Sequence, residues 1–245
     1  MNIALIGYGN MGKEVEQAAR SRGFTIAKTF TLENNLRGIG ITPGILDEVD
    51  VCIDFSVPSA VVNNIATVAA CGKNIVVGTT GWYDKMEEVK QLVTKYKIGL
   101  VYSPNFSLGM NIFYHIVKSA ASAFDPFDVY DVAVQEIHHR KKSDSPSGTA
   151  LALSQIILRQ IRRKKEVLHE TAHGEIKPEQ LQVTSTRVGN VVGTHSVVFD
   201  SEADSIELKH VAKNRRGFAF GALIAAEWIK GKHGLYTMND VLSNH

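Results

Sequence analysis

Hydrophobic positions follow two different periods along this chain, and the change of period divides it. Residues 3–6 form a short apolar run that ends in glycine, the pattern of a strand buried on both faces of a parallel sheet. Residues 12–20 then take helical spacing, with Val15, Ala18 and Ala19 on one side. Runs at 24–30, 49–55, 74–77 and 99–102 predict four more strands. Helical patterns at 59–70 and 85–96 separate them, with Ser59 as the expected cap of the first. This alternation predicts a parallel sheet with helices on both faces.

After about residue 125 the pattern changes. Residues 129–137 alternate with period two, and 150–161 read as a helix. Runs at 181–187, 191–199 and 205–211 predict three consecutive antiparallel strands joined by glycine or polar turns. A run of strands with one helix indicates a separate α+β domain. Residues 219–230 make the last predicted helix, and a polar tail follows. The basic stretch 159–165 reads as a solvated helix end.

Composition narrows the picture only a little. A chain of 245 residues can build one large domain or two modest ones. With 44% hydrophobic and 21% charged residues it reads as an ordinary globular protein. A net charge of +2 is a weak basic excess, so no nucleic-acid partner is expected. No run of roughly 18 apolar residues occurs, so no membrane span is expected. The first residues read as a strand, not a signal peptide. Cys52 and Cys71 lie outside any CxxC pair, which fits a reducing cytoplasm, with Cys52 in the core.

Gly7, Tyr8, Gly9, Asn10, Met11 and Gly12 match G-x-G-x-x-G between a predicted strand and a predicted helix. The first glycine permits the tight turn, the second lets the backbone approach a pyrophosphate, and the third lets helix and strand pack closely. The helix N-terminus offers unpaired N–H groups to phosphate. A nicotinamide dinucleotide, NADPH or NADH, is the expected cofactor. The acid that would hold the adenosine ribose is missing near Thr31, and Glu33 comes slightly late. That leans toward NADPH used at least as well as NADH, with Lys28 or Arg37 near a 2′-phosphate.

The stretch 136–150 carries the chemistry. Glu136, His138, His139, Arg140, Lys141 and Lys142 end a strand, and a turn leads to a helix starting near Ser147. Gly148 and Thr149 at that helix start could bind a carboxylate. A histidine titrates near neutral pH and can donate a proton, and a lysine supplies fixed charge. This equipment suits an anionic substrate that must be protonated. A solvated basic loop before a capped helix would look the same by composition alone.

The same stretch resembles the 4-hydroxy-tetrahydrodipicolinate reductase family, formerly dihydrodipicolinate reductase. The family pattern E-x-H-H-x-x-K-x-D-x-P-S-G-T-A is met at Glu136, His138, His139, Lys142, Asp144, Pro146, Ser147, Gly148, Thr149 and Ala150. Asp54-Phe55-Ser56, Gly78-Thr79-Thr80-Gly81, Asn105-Phe106-Ser107, Gly193-Thr194-His195, His210-Val211-Ala212 and Arg215-Arg216-Gly217-Phe218-Ala219 follow in order. The glycine loop is one residue shorter than the family's common G-x-G-G-x-M-G.

The resemblance implies an α/β fold. A Rossmann-like dinucleotide-binding domain, residues 1–106 and 216–245, would carry an inserted α+β substrate-binding and oligomerisation domain, residues 107–215. It implies a cytoplasmic homotetramer reducing a small cyclic dicarboxylate, with the two domains closing on the bound ligands. Gly7 to Gly12 would cradle the pyrophosphate. Gly78, Thr79, Thr80, Ser103, Pro104, Asn105 and Phe106 would line the nicotinamide site. His138 would donate the proton, with Lys142 as a second donor and carboxylate contact. His139, Ser147, Gly148 and Thr149 would hold the substrate.

Other candidates carry less. Trp82 and Tyr83 read as packing, His115 as a helix-face residue, and His195 as a satisfied polar group. His169, Glu170 and His173 lack a third ligand at metal spacing, so no metal is expected. Arg215 is a candidate anion contact, but Arg216 beside it is not distinguished from it. Two rivals stay open: another small NAD(P)-dependent dehydrogenase, such as an amino-acid dehydrogenase, and a nucleotide-sensing regulator without catalysis. The His138/Lys142 pair speaks against the sensor, which needs no proton donor.

Overall fold

The computed structural model describes residues 1–243, apart from the side chain of Arg37. The expected Arg37 contact therefore lies outside the described residues. In chain order come β1 (Asn2–Ile6), α1 (Asn10–Ser21), β2 (Thr25–Phe30), β3 (Val51–Asp54), α2 (Pro58–Ala70) and β4 (Asn74–Val77). Then follow α3 (Met86–Tyr96), β5 (Gly99–Tyr102), α4 (Leu108–Phe124), β6 (Asp131–His138) and α5 (Gly148–Gln160). The chain ends with β7 (Glu166–Leu168), β8 (Gln180–Arg187), β9 (Gly193–Asp200), β10 (Ser205–Ala212), α6 (Arg216–Ile229), β11 (Gly234–Thr237) and α7 (Met238–Leu242).

The chain forms two compact units, one of Met1–Asn111 with the chain from Arg215 on, the other of Ile112–Asn214. The first holds a six-stranded sheet in the order β11-β5-β4-β3-β1-β2, parallel throughout. Because side chains alternate along each strand, the short apolar runs feed two cores. Ile3, Leu5, Val51 and Ile53 pack with α1 and α6 residues such as Val15 and Leu223. Ala4, Ile6, Cys52 and Ile75 pack with α2 and α3 residues such as Ile65 and Val89. Cys52 and Cys71 are both free thiols, and burial pushes the Cys52 thiol far up.

The second unit carries a five-stranded mixed sheet, β10-β9-β6-β8-β7. Here the sequence reading needs correction. β8 is not the first of three antiparallel strands but runs parallel to both β6 and β7, and only β9 and β10 pair as consecutive antiparallel neighbours. The connection through α5 returns the chain in the direction of β6, as a crossover helix does. β6 then separates β8 from β9 and pairs antiparallel with the latter.

Three elements, β7, β11 and α7, were not anticipated, and α4 was foreshadowed only by the helical spacing around His115. α4 buries Met110, Phe113, Val117 and Ala121, a helical stripe. β7 follows the basic stretch, where Lys164 is fully buried and joins Asp131 and the Gln180 carbonyl. β11 and α7 replace the expected polar tail, with Thr237 and Asp240 forming a capping box. The cap of α2 is Val57 rather than Ser59, because Pro58 takes the first helical position, where a missing N–H costs nothing. No described helix is long and apolar enough to cross a membrane.

Asn74 fastens the returning segment to the sheet. Its amide donates to the carbonyls of Ile229 (2.7 Å) and Lys232 (3.1 Å), and its Oδ1 accepts from the Gly99 N–H at 2.7 Å. Asn74→Ala strands all three groups. Unfolding in urea should show a lower midpoint at unchanged slope, corresponding to about 1–3 kcal/mol.

Candidate active site

The first unit ends its central strands in three adjoining cavities. β1 passes directly into Gly7, whose positive φ of 87° and closeness to the Phe55 carbonyl leave no room for a side chain. A Cβ on Gly12 would stand 2.3 Å from the Gly7 carbonyl oxygen. Gly9 caps α1 without a side-chain hydrogen bond, the first turn carries no acid, and space beyond Gly9 is open. The N-terminus of α1 is thus uncovered, the arrangement a pyrophosphate needs.

A cavity of about 420 Å³ adjoins this loop at the end of β2, lined among others by Tyr8, Gly9, Thr31, Leu32, Glu33 and Asn35. Gly9, Asn10, Met11, Gly78, Thr79 and Thr80 line a second, of about 350 Å³. Met11, Gly78, Pro104, Phe106, Arg215 and Phe218 line a third, of about 210 Å³. Phe55 borders all three. Of the expected nicotinamide-site residues, Ser103 and Asn105 brace the turn that carries Pro104 and Phe106. The Ser103 hydroxyl donates to the Asn105 carbonyl, and Asn105 Oδ1 accepts from the Ser107 N–H, both at 2.8 Å. Arg215 borders the third cavity, which separates it from Arg216.

Asp54 ties these loops together. It is fully buried and accepts from the Ser56 N–H (2.7 Å), Asn64 Nδ2 (2.9 Å) and the Thr79 hydroxyl (3.2 Å). Burial raises its carboxyl above the ordinary range, against the pull of those bonds. Trp82 is buried and donates to the Thr79 carbonyl at 2.8 Å, so it supports the 78–81 loop as packing. Asp54 and Phe55 stood out in the sequence only as part of a family landmark after β3, and Asn64, in the middle of α2, carried no signal of its bond to Asp54.

In the second unit, alternation along β6 puts Val132, Val134, Glu136 and His138 on the buried face. Glu136 Oε2 bonds His138 Nδ1. Its Oε1 accepts from Arg187 Nη2 at 2.7 Å and from the Ser147 N–H at 3.1 Å. Burial opposes the charge of Glu136, but Arg187, Ser185, His138 and Ser147 outweigh it and hold the carboxyl below the ordinary range. His138 is also lowered, by burial first and by the nearby charges of Lys142 and Arg187, although Glu136 pulls the other way. The pair therefore rests as carboxylate and largely neutral imidazole.

Ser147 caps α5, accepting from the Ala150 N–H at 3.2 Å. Lys142 Nζ sits 2.8 Å from Asp144 Oδ1, and the Gly148 N–H also turns to that carboxylate. Lys142 thus holds a carboxylate in the turn that leads into α5. Thr149 and His139 lie nearby in the chain, each half-buried. Arg187, which the sequence reading missed, also donates to the Asp144 carbonyl at 2.6 Å, while its buried Nε has no protein partner.

His195 is 97% buried, not merely a satisfied polar residue of a strand-rich region. Its ring lies edge-on to His138, 5.1 Å between centroids. Among the described residues, the one trio with metal-ligand spacing is Glu136, His138 and His195. We assign no cation there: Glu136 already serves three donors, and Arg187 and Lys142 bring positive charge to the same place. His169, Glu170 and His173 are exposed beyond β7, and His115 is exposed on α4.

Two family models cover almost the whole chain: "Dihydrodipicolinate reductase, N-terminus" over residues 1–106 and "Dihydrodipicolinate reductase, C-terminus" over 109–242. The chain belongs to the dihydrodipicolinate reductase family. A 4-hydroxy-tetrahydrodipicolinate reductase of Christiangramia forsetii is 40% identical over 100% of this chain and 98% of its own. One from Archaeoglobus fulgidus is 39% identical over 99% and 100%. The dipicolinate-bound dihydrodipicolinate reductase of Paenisporosarcina sp. TG-14 shares the fold, with a TM-score of 0.77 over 98% of each chain at 21% identity. The diaminopimelate dehydrogenase of C. glutamicum, at 13% identity and TM-score 0.55 over 100% of this chain and 96% of its own, shares it more distantly. Fold alone would leave the amino-acid dehydrogenase rival standing; the family match removes it.

A Cβ on Gly193 would lie 3.0 Å from His138 Nε2 and 3.4 Å from Cδ2. Gly193→Ala should therefore turn or displace the His138 ring while leaving the sheet folded. Nuclear magnetic resonance of ring-labelled histidine should show His138 shifted and its titration changed, with the exposed histidines unmoved.

Proposed function

We propose that this chain is an NAD(P)H-dependent reductase that converts 4-hydroxy-tetrahydrodipicolinate to tetrahydrodipicolinate in lysine and diaminopimelate biosynthesis. Family membership supports the reaction. One observation carries the assignment of residues: a carboxylate, that of Asp144, already rests on Lys142 in the turn before α5, beside the Glu136–His138 pair. A dicarboxylate ring needs such cations and N–H donors, and a reduced ring needs a proton.

The loops at Gly7–Gly12, Gly78–Thr80 and Pro104–Phe106 fit a nicotinamide dinucleotide, which when bound supplies the hydride. The ring loses its 4-hydroxyl as water, gains the hydride and takes a proton from His138. Glu136 occupies Nδ1, so Nε2, beside Gly193, is the donating nitrogen. Lys142 would turn from Asp144 to a substrate carboxylate, with His139, Ser147, Gly148 and Thr149 completing the grip. A homotetramer built through the second sheet belongs to the same reading, supported by the exposed Ile206 and Val211 on the edge strand β10. A cytoplasmic location fits the pathway and the two free thiols.

His138→Gln should lower kcat by roughly 10²–10⁴-fold with a much smaller change in KM. Lys142→Ala should harm both, and His139→Ala mainly KM. The acid form of His138 is the active one. Its lowered pKa means that kcat/KM of the free enzyme should fall with rising pH through a limb below the ordinary 6.5. The substrate's negative charges favour the imidazolium, so the kcat limb should lie higher. A His138→Gln enzyme with wild-type turnover would remove the proton-donor assignment.

Cofactor choice turns on the cavity beside β2. Glu33 stands on its wall, and among the described residues no lysine or arginine does; Lys28 is exposed elsewhere. A carboxylate there accepts ribose hydroxyls and repels a 2′-phosphate. Where the strand end alone leaned toward NADPH, Glu33 on this wall supports NADH being used at least as well. Glu33→Gln should raise the NADPH/NADH ratio of kcat/KM roughly tenfold, about 1.4 kcal/mol. An unchanged ratio in steady-state assays would show that Glu33 does not select.

A further inference from the structure

His195 has no task in the chemistry described above, yet it is built into the site with unusual completeness. It faces Glu136 directly across the β6–β9 pair and His210 across β9–β10. Its ring packs edge-on against the His138 ring. Its Nε2 lies 3.3 Å from the Ser147 hydroxyl, and its Nδ1 is buried without a protein partner. A polar ring with one unpaired nitrogen costs stability where a leucine would pack freely. Core packing therefore does not explain a histidine here.

The contacts of Ser147 give the explanation. Its hydroxyl caps α5 through the Ala150 N–H, and its own N–H donates to Glu136. Glu136 in turn holds His138. His195 touches both ends of this chain, the imidazole on one side and the helix cap on the other. It closes a ring of four residues, Glu136–His138–His195–Ser147. We propose that His195 is a positioning residue for the reduction, which locks the orientation of the His138 ring to the N-terminus of α5. Proton donor and carboxylate grip then keep one fixed separation. Burial foremost, with the His138 charge adding to it, pushes His195 down to about 4, so it stays neutral at working pH and adds no repulsion.

This inference rests on the proposed role of His138, and its test separates the two. In His195→Leu the packing volume remains but the bond to Ser147 is lost. In His195→Gln the amide nitrogen replaces Nε2 and can restore that bond. His195→Leu should lower kcat/KM for the cyclic dicarboxylate roughly tenfold or more, the scale of one well-placed hydrogen bond. The KM for NADH should stay unchanged, which also reports a folded protein. His195→Gln should recover most of the loss. Ring-labelled histidine spectra should show the His138 titration moved in the leucine variant and restored in the glutamine variant. That readout holds whether or not His138 is the donor, which His138→Gln decides separately. Wild-type kinetics and an unmoved His138 titration in His195→Leu would overturn the proposal. So would equal damage from leucine and glutamine, which would mean that only ring packing matters.

Discussion

Glu136 keeps a negative charge in a buried position, and such a charge persists only where nearly every lone pair is used. An isolated carboxylate there would be neutralised or expelled. Arg187, the Ser147 N–H and His138 share its two oxygens, and each comes from a different part of the second unit. Satisfying one carboxylate thereby fixes β8 against β6, starts α5 at a set place and orients an imidazole. Buried ion pairs add little net stability, but removing one partner is strongly destabilising. The geometry is thus held by the cost of disturbing it.

The first unit solves its problem in the opposite way. Its glycine loop is defined by what is absent: side chains at Gly7 and Gly12, a side-chain cap on α1, and an acid in the first turn. Such a surface suits an anion held by backbone N–H groups, a role that needs rigid support from behind. Asp54 supplies it by joining the end of β3 to α2 and to the 78–81 loop. The two units therefore divide the labour physically as well as chemically, one with backbone dipoles and the other with paired charges.

Local pattern was legible, and pairing over distance was not. The parallel half could be read from alternating runs because a strand buried on both faces leaves a continuous apolar stretch. The partner of β8 could not, because period-two alternation marks a face and not a neighbour. β11 was missed since its four residues, Gly234–Thr237, are all half-buried and mix glycine with polar groups. In the site, His138 and Lys142 were visible through spacing and resemblance. Arg187 was not, and His195, though part of a landmark, showed no link to them, because the two enter from strands 51 and 59 residues beyond Glu136 and only the register brings them to it.

Charge balance links the resting site to the reaction proposed for it. At rest Glu136 offsets Arg187, Asp144 offsets Lys142, and both buried histidines are largely neutral. The site is therefore close to balanced and holds no spare proton on His138. A dianionic substrate changes both facts. In the proposed reaction one carboxylate would compete with Asp144 for Lys142, and the added negative charge would oppose the positive neighbours that depress His138. Binding thus favours the imidazolium when a proton is about to be needed. Loading the substrate should take a proton from solvent, so affinity and donor protonation rise together as pH falls toward the His138 range. Glu136 makes this coupling workable, because it holds the ring in one orientation in both protonation states.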